Sequence, residues 1–223
     1  MVQGVSMEKT VISKALTNQE SYILENKMLN SKRSRLIEAA RKLIYQQGFN
    51  MTTLADIATD ARVPLGNVYY YFKTKADIGI AVLNLIATEQ QTLLENLDKE
   101  PSAKARLHYL LEHLKQEGKL IALQGCHIGT LCQELAKERG SALHKLAAKA
   151  MMDLLLWIEA QFNALGFVEE ASNLSLEFMY KLQGIFLLGH AFKYSSLIVR
   201  QITLLQETIK EQTAEVSAFE ESV

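Results

Sequence analysis

Cysteine and proline are scarce in this chain of 223 residues, two of each. Two thiols cannot staple a fold of this length, which excludes a disulfide framework and points to a reducing compartment. The prolines are Pro64 and Pro101, so nothing in the second half is barred from helix by that residue. No stretch approaches the roughly 18 consecutive apolar residues of a membrane span. Residues 1–30 lack the apolar core of a signal peptide, so the chain reads as cytoplasmic, with no membrane partner. A glycine-rich phosphate loop, paired carboxylates and a Ser/His/Asp order are missing as well, which leaves catalysis no foothold. His108 and His113 are five apart rather than the four that suits a helical metal pair, and His144 and His190 are isolated; neither metal nor cofactor is expected.

What is present is an ordinary globular composition, 48% apolar and 22% charged, long enough to bury a core. The net charge of −1 hides an asymmetry. Between Met28 and Lys75 eight basic residues (Lys32, Arg33, Arg35, Arg41, Lys42, Arg62, Lys73, Lys75) face three acidic ones (Glu38, Asp56, Asp60). A basic head on an acidic body suits a polyanionic partner for the head, although a solvated charged face would look the same.

Apolar spacing is helical almost everywhere. Leu36, Ile37, Ala40, Leu43 and Ile44 make one stripe, Leu107, Leu110, Leu111 and Leu114 another, and Ile128, Leu131, Cys132 and Leu135 a third. No period-2 run bounded by turn residues appears, so the fold class is all-α. Gly48 should end the first strong helix, Thr52 or Thr53 cap the next, and Pro64 and Pro101-Ser102 open others. Gly118, Gly125, Gly140 and Gly166 are expected to cut the second half into helices of roughly 12 to 25 residues. Residues 1–30 are weakly periodic and read as a tail or extra helix, with Met28 a candidate natural start.

Two short helices, about Thr53–Asp60 and from near Pro64 onward, are separated only by Ala61, Arg62 and Val63. Helices joined so tightly must cross steeply, which is the geometry of a helix-turn-helix whose second helix fits the major groove. On that second helix Gly66 permits close backbone approach and Asn67 can pair with an adenine edge. Tyr69, Tyr70 and Tyr71 spread over about 200° of helix, so they cannot all enter one core and at least one must face outward toward phosphate oxygens. Packing between domains is the alternative for any single one of them. Lys73 and Lys75 suit phosphate neutralisation.

The stretch Gly48-Phe49-Asn50-Met51-Thr52-Thr53, followed by Ile57-Ala58, Ala61, Val63, Gly66, Val68-Tyr69, Tyr71-Phe72 and Lys75, resembles the N-terminal signature of TetR-type transcriptional regulators. The resemblance covers about residues 33 to 78. It implies a three-helix DNA-binding head over 31–78 and a helical effector-binding and dimerisation body over 79–223. It also implies a homodimer on a palindromic operator in double-stranded DNA, acting as a repressor that a small-molecule inducer releases. By position it puts Thr53 on a phosphate, Gly66, Asn67, Tyr69 and Tyr70 at the groove, Tyr71 and Lys75 on the DNA backbone, and Leu65 near a thymine methyl. Two departures stand out. Arg62 occupies a turn position where glycine is common, at a cost of about 1 kcal/mol if φ is positive, and Pro64 stands where a serine cap is usual.

The same resemblance makes the late helices, about 169–194 and 196–212, the dimer pair, with Leu182, Phe186, Ile198, Ile202 and Leu205 at the interface. In the body, Cys126 follows Gly125 at the start of a helix, where the partial positive charge and a protonated His127 would favour thiolate. Gly125-Cys126 with Leu131 and Glu134-Leu135 is also similar to a branch of these regulators that senses electrophiles through cysteine. Cys126 and His127 are therefore candidate sensor residues, with Trp157 and Phe178 as candidate pocket walls and Cys132 a core thiol. The alternatives are a helical ligand-binding or scaffold protein without operator specificity, and an enzyme using Cys126 as nucleophile.

Overall fold

The computed structural model describes residues 32–137 and 140–220. The expected tail over 1–30 and the candidate start at Met28 lie outside the described residues. Ten helices follow one another among the described residues, with no strand: α1 Lys32–Gln47, α2 Leu54–Asp60, α3 Leu65–Tyr71, α4 Lys75–Leu97, α5 Ala103–Gln116, α6 Gly118–Gln124, α7 His127–Leu135, α8 Ala142–Ala164, α9 Ala171–Ala191 and α10 Ser195–Glu220.

The chain starts and stops these helices with local chemistry. Gly48 leaves α1 at φ +88°, a left-handed turn for which glycine carries no Cβ penalty. Thr53 caps α2 in a capping box: its side chain accepts from the Asp56 amide, and the Asp56 carboxylate accepts from the Thr53 amide. Thr74 and Asp77 repeat the device at the start of α4. Pro64 caps α3 from outside the helix with a preset φ of −55° and no side-chain bond. Arg62 turns the chain between α2 and α3 at φ +52°, so a non-glycine residue does take the left-handed conformation there.

One helix, α4, runs through positions 78 and 79, so head and body share a rigid rod rather than a linker. The head packs α1 against α2 and α4, and α2 against α3. Leu36, Ala40, Ile44, Ile57, Val68 and Phe72 fill its centre, and Leu131 and Leu135 of α7 with Leu143 and Ala147 of α8 complete that same core. A second core, under α5, α6, α8, α9 and α10, holds Leu107, Leu111, Ile158, Phe178, Ile198 and Ile202.

Two expectations need correction here. Gly118 and Gly125 do not bound helices of 12 residues or more: α6 has 7 residues and α7 has 9. Gly118 opens α6, facing Ile198 and Val199 of α10, while Gly125 stops α6 at φ +87°. The side chains predicted for a dimer interface also sit elsewhere. Leu182, Phe186, Ile198, Ile202 and Leu205 are between 0 and 6% exposed, inside the protomer's own core, where no partner can reach them. Both helices are apolar on more than one face, so an apolar stripe did not say which face is inward.

Close packing of α9 on α10 depends on Gly189, where an added Cβ would lie 2.3 Å from Ile198 Cγ1. Gly189→Ala should lower the stability of the free protein by about 1–3 kcal/mol in chemical denaturation. Gly66→Ala on α3, where a Cβ would meet nothing within 4 Å, should instead raise it by about 0.5–1 kcal/mol.

Candidate functional site

Helix α3 is anchored from beneath and bare above. Val68 at 0% and Phe72 at 3% exposure plug into the head core, which turns Leu65 (42%), Tyr69 (48%) and Tyr70 (76%) outward. Gly66 is exposed, Asn67 half-buried and Tyr71 half-buried against the core. The Tyr70 and Tyr71 rings meet edge to face at 4.9 Å. So two tyrosines of the three stand on the outer surface, as the 200° spread requires.

The flanking groups are already arranged. The Thr53 hydroxyl donates to Asp56 Oδ2 at 2.7 Å, and hydrogen bonds from the Thr53 side chain and amide hold the exposed Asp56 carboxyl below its ordinary range. Lys73 Nζ donates to the Tyr69 carbonyl at 2.8 Å, near the C-terminus of α3 where a cation is favoured. Lys75 Nζ donates to the Asn50 carbonyl at 2.9 Å and sits 4.5 Å over the Phe49 ring. That ammonium ties the turn after α1 to the start of α4.

A partly open cavity of about 390 Å³ lies between α1, α4, α5, α6, α7, α8 and α9, within the usual span of small-molecule sites. Ile44, Val82, Ile86, Leu110, Leu131 and Phe186 supply much of its apolar wall. Its polar groups are Arg41, Tyr45, Glu89, Gln90, His113, Glu117, Cys126, His127, Thr130, Glu134 and Gln183. Cys126 and His127 therefore face the cavity. Trp157 and Phe178 do not: Trp157 Nε1 donates to Asp98 Oδ1 at 2.9 Å, and Phe178 stacks edge to face on Phe162 in the second core at 6.3 Å. Their spacing marked core packing rather than a pocket.

Helix α7 joins this cavity to the head at both of its ends. At the first, the Tyr45 hydroxyl donates to the Gly125 carbonyl at 2.9 Å and the Tyr45 ring meets His127 edge to face at 5.4 Å. At the second, the Phe49 amide donates to Glu134 Oε2 at 2.6 Å, with the carboxylate lying over Gly48, where a Cβ would fall 2.3 Å from Oε1. Sequence reasoning missed Tyr45, Gln90, Glu117 and Gln183 as wall residues, because each is an ordinary polar position on a helical stripe.

The thiol chemistry differs from expectation. Cys126 is the N-cap of α7 rather than a first-turn residue, and its sulfur accepts from the Gly129 amide at 3.4 Å. Burial pushes the thiol up, outweighing the hydrogen bonds from Gly129, Gln183 and Ile128 that favour thiolate. His127 is pushed below its ordinary value, chiefly by burial and against the pull of Glu117, so it is neutral at pH 7 and no imidazolium assists the sulfur. Burial and the neighbouring Cys126 raise Tyr45 and Cys132 too, in Cys132 to about 11.

Fold and site together define a two-part helical protein, a helix-turn-helix head seated on a body, with a cavity where they meet. Residues 36–82 match the model of bacterial regulatory proteins, tetR family. The chain is 32% identical over 124 residues to the transcriptional regulator AcuR of Cereibacter sphaeroides, a match covering 55% of each chain. It is 31% identical over 129 residues to the HTH-type transcriptional repressor NemR of Escherichia coli, covering 55% of this chain and 64% of that one. The chain thus spans about half the length of the curated relatives it matches first. The crystal structure of a TetR transcriptional regulator from Legionella pneumophila superposes with a TM-score of 0.73 at 18% identity, over 80% of this chain and 97% of that one, which shows a shared fold.

A thiol with a raised pKa should be slow. In a Cys132→Ala background, Cys126 should react with iodoacetamide more slowly than free cysteine at about pH 7.5, with a rate still climbing above about pH 9. A rate already level by about pH 8 would show a thiolate stabilised after all.

Proposed function

We propose that the protein is a sequence-specific DNA-binding transcriptional repressor, a homodimer on a palindromic operator that a small molecule in the body cavity releases. The observation that carries this reading is the outward face of α3: Leu65, Gly66, Tyr69 and Tyr70 exposed on a helix whose other side is locked into the head core. In this reading Asn67 and the exposed tyrosines address the groove, Thr53 and Tyr71 approach phosphates, and Lys75 steadies the turn beside them. A cytoplasmic setting goes with that role.

A second copy has a face to meet. Tyr180, Leu187 and Leu188 of α9 and Val199 and Leu204 of α10 are all at least 40% exposed, and Gly184 on the same side of α9 has open space at its Cβ position. These take the place of the five buried side chains expected from the sequence. Pairing α9 and α10 with their mates would set two heads on successive major grooves, about 34–36 Å apart.

Release follows from the two attachments of α7. An occupant that displaces Cys126, His127 or Glu134 changes the Tyr45–Gly125 or Phe49–Glu134 bond, and each of those bonds sets the pose of the head. An electrophile attached to Cys126 is a second way of filling the same space, favoured by the sulfur's place in the cavity wall. Cys126→Ser should then abolish electrophile-induced release and leave DNA affinity intact; release at the parental dose would confine induction to non-covalent ligands.

Selection from random duplex oligonucleotides should return an inverted repeat, and a protein without operator specificity would return none. Replacing Tyr69 or Tyr70 by Ala should weaken binding to that repeat about tenfold, the worth of roughly one hydrogen bond to a charged group, with no change in thermal stability. Affinity should also fall by about a thousandfold between roughly 50 and 200 mM salt if six phosphates are neutralised across the dimer. A salt-indifferent affinity contradicts the assignment.

A further inference from the structure

We infer that the cavity is built for an apolar molecule carrying a cationic nitrogen, an arylalkyl-amine or amidine, and that it discriminates against carboxylates of the same shape. The inference rests on the effector role proposed above and adds the chemistry of the effector.

The charges lining the cavity are unequal. Its full cation is Arg41, and that guanidinium is already engaged: Nε and Nη2 donate to Glu38 Oε2 at 3.0 and 2.8 Å, and Nη1 lies 3.8 Å from Glu89. Glu89 is thereby offset. Glu117 and Glu134 have no cation within ion-pair distance among the described residues. Glu134 accepts from the Phe49 amide, a dipole that steadies the carboxylate without cancelling its charge. His113, on the same wall, makes no ion pair with either carboxylate. His127 is held neutral chiefly by its burial, and the Cys126 thiol stays protonated. Two uncompensated carboxylates at the edge of an apolar chamber give a negative potential that low-dielectric walls concentrate.

A separate observation points the same way. Gln90 lines the cavity from α4, and its amide Nε2 is committed to the Ala150 carbonyl at 2.9 Å. Its Oε1 is buried with no donor. A buried acceptor without a partner is costly, and that cost is relieved when the side chain turns its oxygen to a donor in the cavity, not to another acceptor. Of the two neutral hydroxyls in the wall, Tyr45 already spends its proton on Gly125, and Thr130 can accept as well as donate. The Glu117 and Glu134 carboxylates and the Thr130 oxygen can all accept, and an ammonium or amidinium group supplies two or more donors together with the missing charge.

The experiment is calorimetric titration of the full chain with three compounds of one shape: 4-phenylbutylamine, 4-phenylbutan-1-ol and 4-phenylbutyrate. The amine should bind at least about tenfold more tightly than the alcohol, with the carboxylate weakest. Glu117→Gln and Glu134→Gln, tested singly, should each reduce the amine's advantage while leaving the alcohol's affinity unchanged, which also reports an intact cavity. Binding of the carboxylate at or above the amine, equal affinity for all three, no binding by any, or an amine preference untouched by both variants would each overturn the inference. A DNA-binding assay on the same samples separates the two levels. A protein that binds no duplex but ranks the ligands as stated loses the regulator assignment and keeps this one; a protein that binds its repeat and ranks them flat does the reverse.

Discussion

The structure turns on a carboxylate borrowed from the body to hold a turn of the head. Glu134, at the end of α7, accepts the Phe49 amide directly after the left-handed Gly48. That turn separates α1 from α2, so its placement sets the pose of the helix-turn-helix. The Phe49 ring then reaches Gly79 of α4 and carries the Lys75 ammonium over its face. Without the carboxylate a half-buried amide would be left unpaired beside an apolar ring, at a cost of about 1–3 kcal/mol. One short helix thus carries a cavity wall and the seat of the helix-turn-helix head at once.

This arrangement explains why the head cannot be read as a separate unit, although the sequence marks it as one. Its boundaries were visible because capping chemistry is local: Thr53 with Asp56, Pro64 before Leu65, and glycine at 48 each act within a few residues. The outward tyrosines were legible for a similar reason, since three consecutive positions on a helix cannot share one face. The involvement of Leu131, Leu135, Leu143 and Ala147 in the head core was not legible, because nothing local distinguishes an apolar residue that packs on its own domain from one that packs on its neighbour.

The body shows where pattern reading ends. Leu182, Phe186, Ile198 and Ile202 formed the best stripes on the last helices, and for that reason they are buried in the protomer. The exposed side chains near them, Tyr180, Leu187 and Leu188 among them, are interleaved with polar neighbours and make a poorer pattern. Cys126 illustrates a competition of magnitudes. The helix end and nearby amides favour thiolate, but desolvation in the cavity wall is larger and decides the outcome. Sequence placed the cysteine at a helix start; only the surroundings could say which effect prevails.

Helix α4 adds a mechanical consequence. Its first turn carries Thr74, Lys75 and Ile78 under the head, while Val82, Ile86, Glu89, Gln90, Leu93 and Leu94 further along face the cavity. At 1.5 Å per residue its 23 residues form a beam about 34 Å long. Leu94, at the far side of the chamber, lies about 28 Å from Lys75, so a pivot of about 5° there swings the start of the helix by about 2.5 Å. A small adjustment around the cavity is in this way geared up into a larger displacement beneath the head.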